Sequence, residues 1–468
     1  MRSFNLTILA AIVLLMVTCS PPTASDQVGN GGGKSAKKKY IVYMNTSFEQ
    51  PLIIDRKNII QNNASDTLQQ KILIDSARGN KKKHVIAFCK EHHLDYFDSL
   101  IYVDVTVAFV TELDEKTAKE FNEGTSSEVH SAAIDDPLYL DDPMQQDDPM
   151  QQDDPMQQND ISDRNLHQLP DSGLPTSSCF NSYTSCAVKR AGGPAPEPTT
   201  PNPAFIWIID TGVGPHSKLP NIVGAPYSKS FIGSSANDDN GHGTHVAGIA
   251  GATKGMFGKP PAVKKCIRLG VSPGANIVSL KVLKKDGSGI WHDVLGALNH
   301  IASFPRSGDV INMSLGGVDV LRCTSDPDGF RTTLNTLADE GHFIVMAAGN
   351  NHGNAADNFP GCLDGTTLNK DKIYTVSAME CDWTCSAYSN YGGPVDIAAV
   401  GSKVFSTFLD PVNNPGVELY NTLSGTSMAA AVISGLIHAK GGAPKIGRRY
   451  AVCPPAPRKE YHPGRLGL

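Results

Sequence analysis

The chain has 468 residues, more than one ordinary domain, and 40% of them are hydrophobic, so it can bury a sizeable core. Its formal net charge of -6 and the lack of a basic stripe argue against nucleic acid as the main partner. Ten cysteines are too few at this length for a cysteine-rich framework, but too many to ignore in an exported chain. We therefore expect two folded units and no nucleic-acid partner.

Residues 1–25 have the pattern of a signal peptide. Arg2 precedes an apolar run over residues 8–17, which is too short to span a bilayer, and no other stretch of the sequence could span one. This pattern predicts a secreted protein without a transmembrane span. The residues around Cys19 also resemble a bacterial lipoprotein box, so a lipid anchor on Cys19 is an alternative to its removal with the signal.

Residues 39–140 are predicted to form a small α+β unit. Strand-like and helical stretches follow the order βαββαβ, which is typical of a ferredoxin-like fold. The predicted strand-like stretches are at 40–44, 101–111 and 129–134, and the predicted helices are at 81–93 and 114–121. An unrelated small α+β binding domain is the alternative.

An acidic repeat occupies part of residues 141–168. Asp141, Asp147 and Asp153 each begin the hexamer Asp-Asp-Pro-Met-Gln-Gln, a period too short for a solenoid, so the segment is predicted to be an extended linker. Its paired carboxylates could bind calcium weakly, but glycine turns and spaced oxygen ligands are missing, which favours a solvated linker. A structural calcium ion elsewhere stays open, and no other cofactor is indicated.

Residues 169–440 alternate between apolar strands and helices. The pattern predicts an α/β domain with a parallel sheet covered by helices on both faces, and active residues gathered at the carboxyl ends of the strands. The predicted strands are at 204–209, 276–283, 309–315, 342–348 and 372–378, and the predicted helices are at 292–304, 330–340 and 426–439.

Three polar residues lie at the ends of such elements. Asp210 ends a fully apolar strand, His242 begins a helix of small residues, and Ser427 opens a buried helix. Ser427 alone could be an ordinary helix cap, but the order Asp, His, Ser along the chain is that of the subtilisin catalytic triad. Two further motifs lie between the histidine and the serine, Ser314-Leu315-Gly316-Gly317 and Ala347-Ala348-Gly349-Asn350.

With these motifs in this order, residues 169–440 resemble the catalytic domain of a subtilisin-like serine endopeptidase, a subtilase. The resemblance implies a secreted hydrolase that acts on peptide or protein substrates through an acyl-enzyme. Residues 39–140 are similar to the propeptide of such enzymes, which implies a zymogen that is inhibited by its own propeptide and cut in the acidic linker. The expected state is a monomer.

The resemblance also implies roles for single residues. Asp210, His242 and Ser427 are the expected catalytic residues, in which the histidine takes the serine proton and the aspartate orients the ring. Asn350 is the expected oxyanion donor, with the Ser427 backbone N–H as the second donor. The pocket floor is expected near 358–361. The expected substrate-binding residues in the two pocket walls are Ser314, Leu315, Gly316, Ala348 and Gly349.

Other histidines, including His216, His245 and His342, are expected to be structural, and no zinc-type cluster is visible. The cysteine spacing leaves the disulfide pairing open, with two local pairs and one pair in the loops after the pocket walls as candidates. These candidate pairs are Cys381 with Cys385, Cys179 with Cys186, and Cys323 with Cys362; Cys266 and Cys453 have no argued partner.

Two features depart from the family pattern. The proline and histidine that usually follow Ser-Met-Ala-Ser are absent, and Ala431 stands in the place of the proline. Residues 441–468 form an atypical basic tail without helical periodicity, which leaves the completeness of the domain open. The alternatives are therefore a catalytically silent or incompletely folded homologue, and an esterase or transacylase that uses the same site.

Overall fold

The structure is a computed structural model. It describes residues 37–44, 67–96, 101–103, 108–123, 129–135, 137–140, 181–196, 202–257, 265–304, 306–325, 329–363, 371–410, 416–444, 446–453 and 458–463. The predicted signal peptide with Cys19, the linker at 141–168 and Cys179 lie outside the described residues.

The described residues form 23 strands and eight α-helices. The strands are β1 Lys38–Met44, β2 Ile101–Tyr102, β3 Ala108–Leu113, β4 Val129–Ile134, β5 Pro137–Tyr139, β6 Asn181–Thr184, β7 Phe205–Asp210, β8 Ile222–Val223, β9 Lys229–Ser230, β10 Gly255–Phe257, β11 Lys265–Arg268, β12 Asn276–Lys281, β13 Ser288–Ile290, β14 Val310–Met313, β15 Gly317–Val318, β16 Phe343–Ala347, β17 Asn358–Phe359, β18 Ile373–Met379, β19 Ile397–Val400, β20 Val404–Leu409, β21 Glu418–Leu423, β22 Ile446–Cys453 and β23 Arg458–Pro463. The helices are α1 Thr67–Glu91, α2 Glu115–Asn122, α3 Cys186–Arg190, α4 His242–Gly251, α5 Trp291–Ala302, α6 Val320–Ser325, α7 Phe330–Asp339 and α8 Thr426–Lys440.

The N-terminal part is an antiparallel sheet with the strand order β2-β3-β1-β4. Helix α1 connects β1 to β2, and α2 connects β3 to β4, so the elements follow the predicted βαββαβ order. Asp114 caps α2, because its side chain accepts a hydrogen bond from the Thr117 N–H. Helix α1 begins well before the predicted residue 81, and the predicted stretch at 101–111 is two separate strands.

The larger part is built on a sheet with the strand order β19-β18-β16-β14-β7-β12-β8, with β9 also paired to β12. All of these strand pairs are parallel. Strand β7 lies between β12 and β14, near the middle of the sheet. Every residue of β7 is buried, as its unbroken apolar sequence predicts for a strand covered on both faces.

Helices cover both faces of this sheet, which confirms the predicted α/β architecture. Ile206 and Ile208 belong to the core that contains α4 and α8. Trp207 and Ile209, on the opposite face of β7, belong to the core that contains α5 and α7. This second core also includes Tyr43 and other residues of the N-terminal sheet, so that sheet lies against the α5 side.

The disulfide bonds join elements that are distant in sequence. Cys186 at the start of α3 bonds to Cys381, which follows β18, so the predicted pairs Cys381 with Cys385 and Cys179 with Cys186 are wrong. The reason is tertiary: α3 lies against this loop, where Arg190 also donates from Nε to the Cys381 carbonyl at 2.8 Å. Cys385 is disulfide-bonded as well. The predicted pair Cys323 with Cys362 is confirmed.

After α8, strands β22 and β23 pair as an antiparallel hairpin in the atypical tail. No helix within the described residues is long and apolar enough to cross a membrane. Within the same residues, no group of three or more His, Cys, Asp or Glu side chains could hold a metal ion.

Asp309, fully buried beside the start of β7, leads to a stability prediction. Its carboxylate accepts hydrogen bonds from the Phe205 N–H and from Trp207 Nε1, both at 2.9 Å, and pairs with Arg306 Nε at 2.7 Å. We expect Asp309→Ala to lower the free energy of unfolding in urea by at least about 2 kcal/mol, because two buried donors lose their acceptor. Asp371→Ala, which removes an exposed carboxylate, should change it by less than about 0.5 kcal/mol. Equal losses in the two variants would contradict this role.

Candidate active site

Asp210 and His242 form a buried pair at the carboxyl end of β7. Asp210 is fully buried, and His242 is 4% exposed. His242 Nδ1 lies 2.8 Å from Asp210 Oδ1 and 3.0 Å from Oδ2, so its ring donates to the carboxylate. The Thr211 N–H also donates to Asp210 Oδ1, at 2.7 Å. With Nδ1 facing the carboxylate, Nε2 is the ring nitrogen that is left to exchange a proton with another group.

Asp238 holds the start of α4 beside Asp210, and sequence analysis missed it. Its Oδ1 accepts from Thr211 Oγ1 at 2.8 Å and from the Gly241 N–H at 2.9 Å. Its Oδ2 accepts from the N–H of Thr244 at 2.9 Å and from its hydroxyl at 2.7 Å. Helix α4 follows Gly241, which has no side chain that could cap it. An aspartate shortly before such a helix start is the sequence signal that could have identified Asp238.

Glycine is required where α4 approaches the Asp210 loop. A Cβ at Gly243 would lie 2.0 Å from the Gly212 carbonyl oxygen and 3.1 Å from Asp210 Oδ1. Gly212 itself has φ +105°, a conformation that other residues rarely adopt. The small residues of this motif therefore allow His242 to lie within hydrogen-bonding distance of the carboxylate.

Ser427 is the second residue of α8 and is 8% exposed. Its hydroxyl donates to the Ser314 carbonyl at 3.2 Å, and the Ser314 hydroxyl donates to the Ser427 carbonyl at 3.0 Å. A buried chain continues beneath them, because Asn312 Nδ2 donates to Ser314 Oγ and Ser434 Oγ donates to Asn312 Oδ1, each at 2.8 Å. These contacts fix the first turns of α8 to β14. The serine thus lies at a helix N-terminus, where backbone N–H groups favour negative charge.

Asn350 lies beside Ser427, in the loop after β16. Its Oδ1 accepts from the Thr426 N–H at 2.8 Å, which fixes the orientation of its amide. The amide nitrogen faces the turn before the serine, 3.5 Å from the position of a Cβ at Gly425. The Gly349 N–H donates to Thr426 Oγ1 at 3.1 Å, which ties the same loop to α8.

A cleft opens at this point between the loops after β14 and β16. The residues that line it are Leu315, Gly316, Ala347, Gly349, Asn350, Asn358, Thr426 and Ser427. The structure thus brings the predicted oxyanion donor and three of the predicted wall residues together around the serine. The other two, Ser314 and Ala348, are buried behind the cleft, where Ala348 offers its carbonyl to Asn390 Nδ2 at 3.0 Å.

Two nearby histidines hold the chain that leads to α8. His216 Nε2 donates to the Leu419 carbonyl at 3.1 Å, and His245 Nε2 donates to the Asn421 carbonyl at 3.0 Å. Both acceptors lie in β21. Burial lowers the pKa of His216, and burial lowers the pKa of His245 to about 3, so both rings are neutral near pH 7. Their contacts fit the structural role that the sequence predicts.

The close contact at Gly243 leads to a second prediction. We expect Gly243→Ala to lower the free energy of unfolding by about 1–3 kcal/mol, because the added methyl group must displace backbone rather than a flexible side chain. Urea unfolding measures this change. Gly224→Ala is the matched control, since a Cβ there would meet no atom within 4 Å. A Gly243→Ala protein as stable as the control would show that α4 can shift without cost.

Comparison with known proteins gives a consistent result for this region. The sequence model of the family described as Peptidase_S8, Subtilase family, matches residues 204–440. Subtilisin-like serine protease AsES of Sarocladium strictum is 35% identical over 240 residues, which are 49% of this chain and 51% of that protein. Thermitase of Thermoactinomyces vulgaris is 34% identical over 245 residues, 51% of this chain and 76% of thermitase.

Among solved structures, a cold adapted subtilisin-like serine proteinase is 28% identical, with a TM-score of 0.40, and the match covers 53% of this chain and 82% of that one. The chain spans about half the length of the Sarocladium relative. The family match covers about half of the 468 residues and includes Asp210, His242 and every described residue that lines the cleft, so the chain belongs to the subtilase family.

Proposed function

We propose that this protein is a serine endopeptidase that hydrolyses peptide bonds with Ser427 as the nucleophile, His242 as the general base and Asp210 as the group that orients the histidine. The main support is that Asp210 and His242 form a buried pair, and that Ser427 opens α8, which packs closely against the helix that begins at His242. Relatives from Sarocladium strictum and Corniculantispora psalliotae are named as serine proteases, which supports the same chemistry.

In the proposed reaction, His242 Nε2 takes the Ser427 hydroxyl proton while Oγ bonds to the carbonyl carbon of the substrate. The serine must first rotate away from the Ser314 carbonyl, its acceptor in this structure. The C–N bond then breaks, and His242 gives the proton to the leaving amine. Water repeats the sequence on the acyl-enzyme and releases the acid. Asp210 stabilises the imidazolium that forms at each proton transfer.

Asn350 is proposed to stabilise the negative oxygen that forms in each step. Its carbonyl oxygen is occupied by the Thr426 N–H, so the NH2 group is the side of the amide that serves as donor. The Ser427 backbone N–H, in the first turn of α8, is the proposed second donor. Two fixed donors need little reorganisation during the reaction, which is why this arrangement stabilises the transition state strongly.

The N-terminal unit is proposed to be an inhibitory propeptide. Strand β5 pairs antiparallel with β13, and the Leu140 N–H donates to the Gly287 carbonyl at 2.9 Å. Beyond this contact the partner strand leads back to Lys285, whose carbonyl accepts from Asn240, two residues before His242. The unit therefore ends in a short strand that pairs with β13 through backbone groups, as an extended substrate would.

Maturation and export complete the proposal. We infer that the precursor is cut after Leu140, within the acidic linker at 141–168, and that the enzyme is secreted after removal of residues 1–25. Related proteins include one named a minor extracellular protease, from Bacillus subtilis, which supports export. Peptide or protein substrates and a monomeric state are part of the same proposal.

A serine-directed phosphonate tests the catalytic assignment in the purified, matured protein. We expect it to label wild type but not Ser427→Ala, and we expect His242→Ala to abolish turnover nearly completely.

Asn350→Ala should fold but lower kcat by about 10²–10³, the loss known for one oxyanion donor in subtilisin. Asn351→Ala, an exposed neighbour, is the control and should keep full activity. A folded wild-type protein that the phosphonate does not label would instead support a catalytically silent homologue. A labelled protein that hydrolyses an ester substrate but no peptide would support an esterase.

The contact between Asp135 and His292 predicts a pH dependence of propeptide inhibition. His292 lies at the start of α5. Its Nδ1 is 2.5 Å from Asp135 Oδ2, and its Nε2 is 3.3 Å from Asp293 Oδ1. Burial lowers the pKa of His292, but its hydrogen bonds to the two carboxylates and their charges outweigh burial and raise the pKa to about 9. Without Asp135, the pKa should fall toward the ordinary value of about 6.5.

A raised pKa in the complex means that this contact stabilises binding fully below pH ~6.5 and loses that effect as pH rises through about 9. We expect the inhibition constant of the released N-terminal segment to increase at least about tenfold between pH 6.5 and 9.5. His292→Gln should weaken inhibition at pH 6.5 and flatten the profile. An inhibition constant that is independent of pH in wild type would contradict the role of this pair.

A further inference from the structure

A second cavity lies at the end of α4, remote from the cleft beside Ser427. Its volume is about 220 Å³, and it is enclosed by the turn after α3, the end of α4 and the end of β11. Helix α4 begins at His242 and its 10 residues span about 15 Å, so the cavity lies beyond its other end. None of the described residues that line this cavity also lines the cleft. Occupancy of the cavity is therefore separate from the chemistry at Ser427.

Two cationic side chains, Lys254 and Arg268, line the cavity. The other described residues that line it are proline, alanine, leucine and glycine, so no acidic side chain is among them. The sequence from Lys254 to Arg268 contains five basic residues and no aspartate or glutamate. Neighbours along the chain therefore do not neutralise the two charges.

The register of β10 and β11 places these two charges opposite each other. Gly255 pairs with Ile267 in this antiparallel ladder, so the next residues outward are Lys254 and Arg268. Like charges directly opposite each other on antiparallel strands repel, which destabilises the pairing. An anion bound between them would replace this repulsion with an attraction to each side chain.

Close backbone contacts form the walls of the cavity. The N–H groups of Val271, Ser272 and Gly274 donate to the last carbonyls of α4, each at 2.9 Å. A Cβ at Gly270 would lie 2.4 Å from the Ala252 carbonyl oxygen, so the two segments approach closely. The carbonyls at the end of α4 thus have backbone donors, and they do not by themselves account for two cationic side chains at this point.

A ligand of this cavity must be small and negatively charged. Pockets for drug-sized molecules are about 300–1,000 Å³, larger than the volume of about 220 Å³ here. A metal cation would be repelled by Lys254 and Arg268, and a neutral ligand would leave their mutual repulsion in place. An oxyanion accepts charge-assisted hydrogen bonds from both the guanidinium and the ammonium group, and phosphate matches the guanidinium in a bidentate geometry.

We propose that Lys254 and Arg268 bind a doubly charged oxyanion, which bridges their side chains and joins the β10–β11 pair to the end of α4. Free inorganic phosphate is one source of this chemistry. The other source is the chain itself, because each of three linker hexamers begins with two aspartates, and β6, the first described strand after the linker, pairs with β11. Both sources present two negative charges to the same two cations. The site requires no peptidase activity, so it does not depend on the proposed function.

The experiment compares two full-length proteins, each with Ser427→Ala so that the proposed peptidase cannot cut them. One protein keeps the native linker. In the other, the neutral-linker protein, asparagine replaces the two aspartates that begin each of the three hexamers. Each protein is titrated calorimetrically with inorganic phosphate near neutral pH, at a constant ionic strength set with sodium chloride. We expect one saturable phosphate site in the neutral-linker protein.

Substitutions in the neutral-linker protein locate that site. Arg268→Gln and Lys254→Gln should each weaken phosphate binding at least about tenfold, because each removes a charge-assisted hydrogen bond. Arg268→Lys should lose less affinity than Arg268→Gln, since it keeps the charge. Lys284→Gln is the control, because it removes an exposed cation between β12 and β13, and it should keep the parent affinity. Circular dichroism verifies the folding of each variant before titration.

The two proteins also identify the source of the anion. Affinity for phosphate that is at least about tenfold weaker with the native linker supports occupancy by the linker aspartates, since a tethered ligand competes with a free one. Equal affinities support a free oxyanion, and both outcomes support the site.

Absence of saturable phosphate binding in the neutral-linker protein overturns the proposal. Binding that is unchanged in folded Arg268→Gln and Lys254→Gln places the anion elsewhere and overturns it as well. The parent titration needs no substitution in the cavity, so it can refute the site even if these two variants do not fold.

Discussion

The buried carboxylate of Asp210 is the group around which the site is arranged. A charge that is fully removed from water is tolerated only when donors surround it, and here the ring of His242 and the N–H of Thr211 supply them. A second buried carboxylate, Asp309, binds the first residue of the same strand, so β7 is fixed at both ends by hydrogen bonds to aspartate. The central strand is therefore fixed in position, which keeps Asp210 within hydrogen-bonding distance of His242.

The two helices that present His242 and Ser427 meet through small residues. A Cβ at Gly435 of α8 would lie 2.6 Å from the Ala250 carbonyl of α4, so the helix backbones approach closely. Helix α8 continues without a break through Ala431, where the family usually has proline, and this alanine is fully buried. Since an alanine at this point keeps its backbone N–H and occupies little volume, the helix needs no kink there.

Much of the fold followed from local patterns in the sequence. Apolar strands, helix starts and the order of polar motifs each depend on neighbouring residues, which is why β7, α4 and α8 lie where the sequence predicts. The disulfide between Cys186 and Cys381 could not be predicted from the sequence, because 195 residues separate its cysteines and only the packing of α3 brings them together. Asp238 had a local signal, its place shortly before α4, but its hydrogen bond to Thr211 depends on tertiary packing and could not be predicted from neighbouring residues.

The N-terminal unit and the catalytic part depend on each other at the start of α5. That helix has no side-chain cap of its own, and the carboxylate of Asp135 supplies one by accepting from the His292 N–H at 3.2 Å. Tyr102 adds a hydrogen bond to the His292 carbonyl at 3.0 Å, and Arg322 donates to the Ile134 carbonyl. None of the residues in these contacts is among the described residues that line the cleft beside Ser427.

This separation has a consequence for how the cleft can select substrates. Pairing with β13 uses backbone groups, which every peptide carries, and it therefore gives affinity without strong preference for sequence. The pocket beside Ser427 differs, because side chains, among them that of Asn358, also line it. The proposed propeptide is held by contacts of Asp135 and Arg322, and neither residue is among those that line this pocket. Affinity for the proposed propeptide and preference for a substrate can therefore change independently, since different residues provide them.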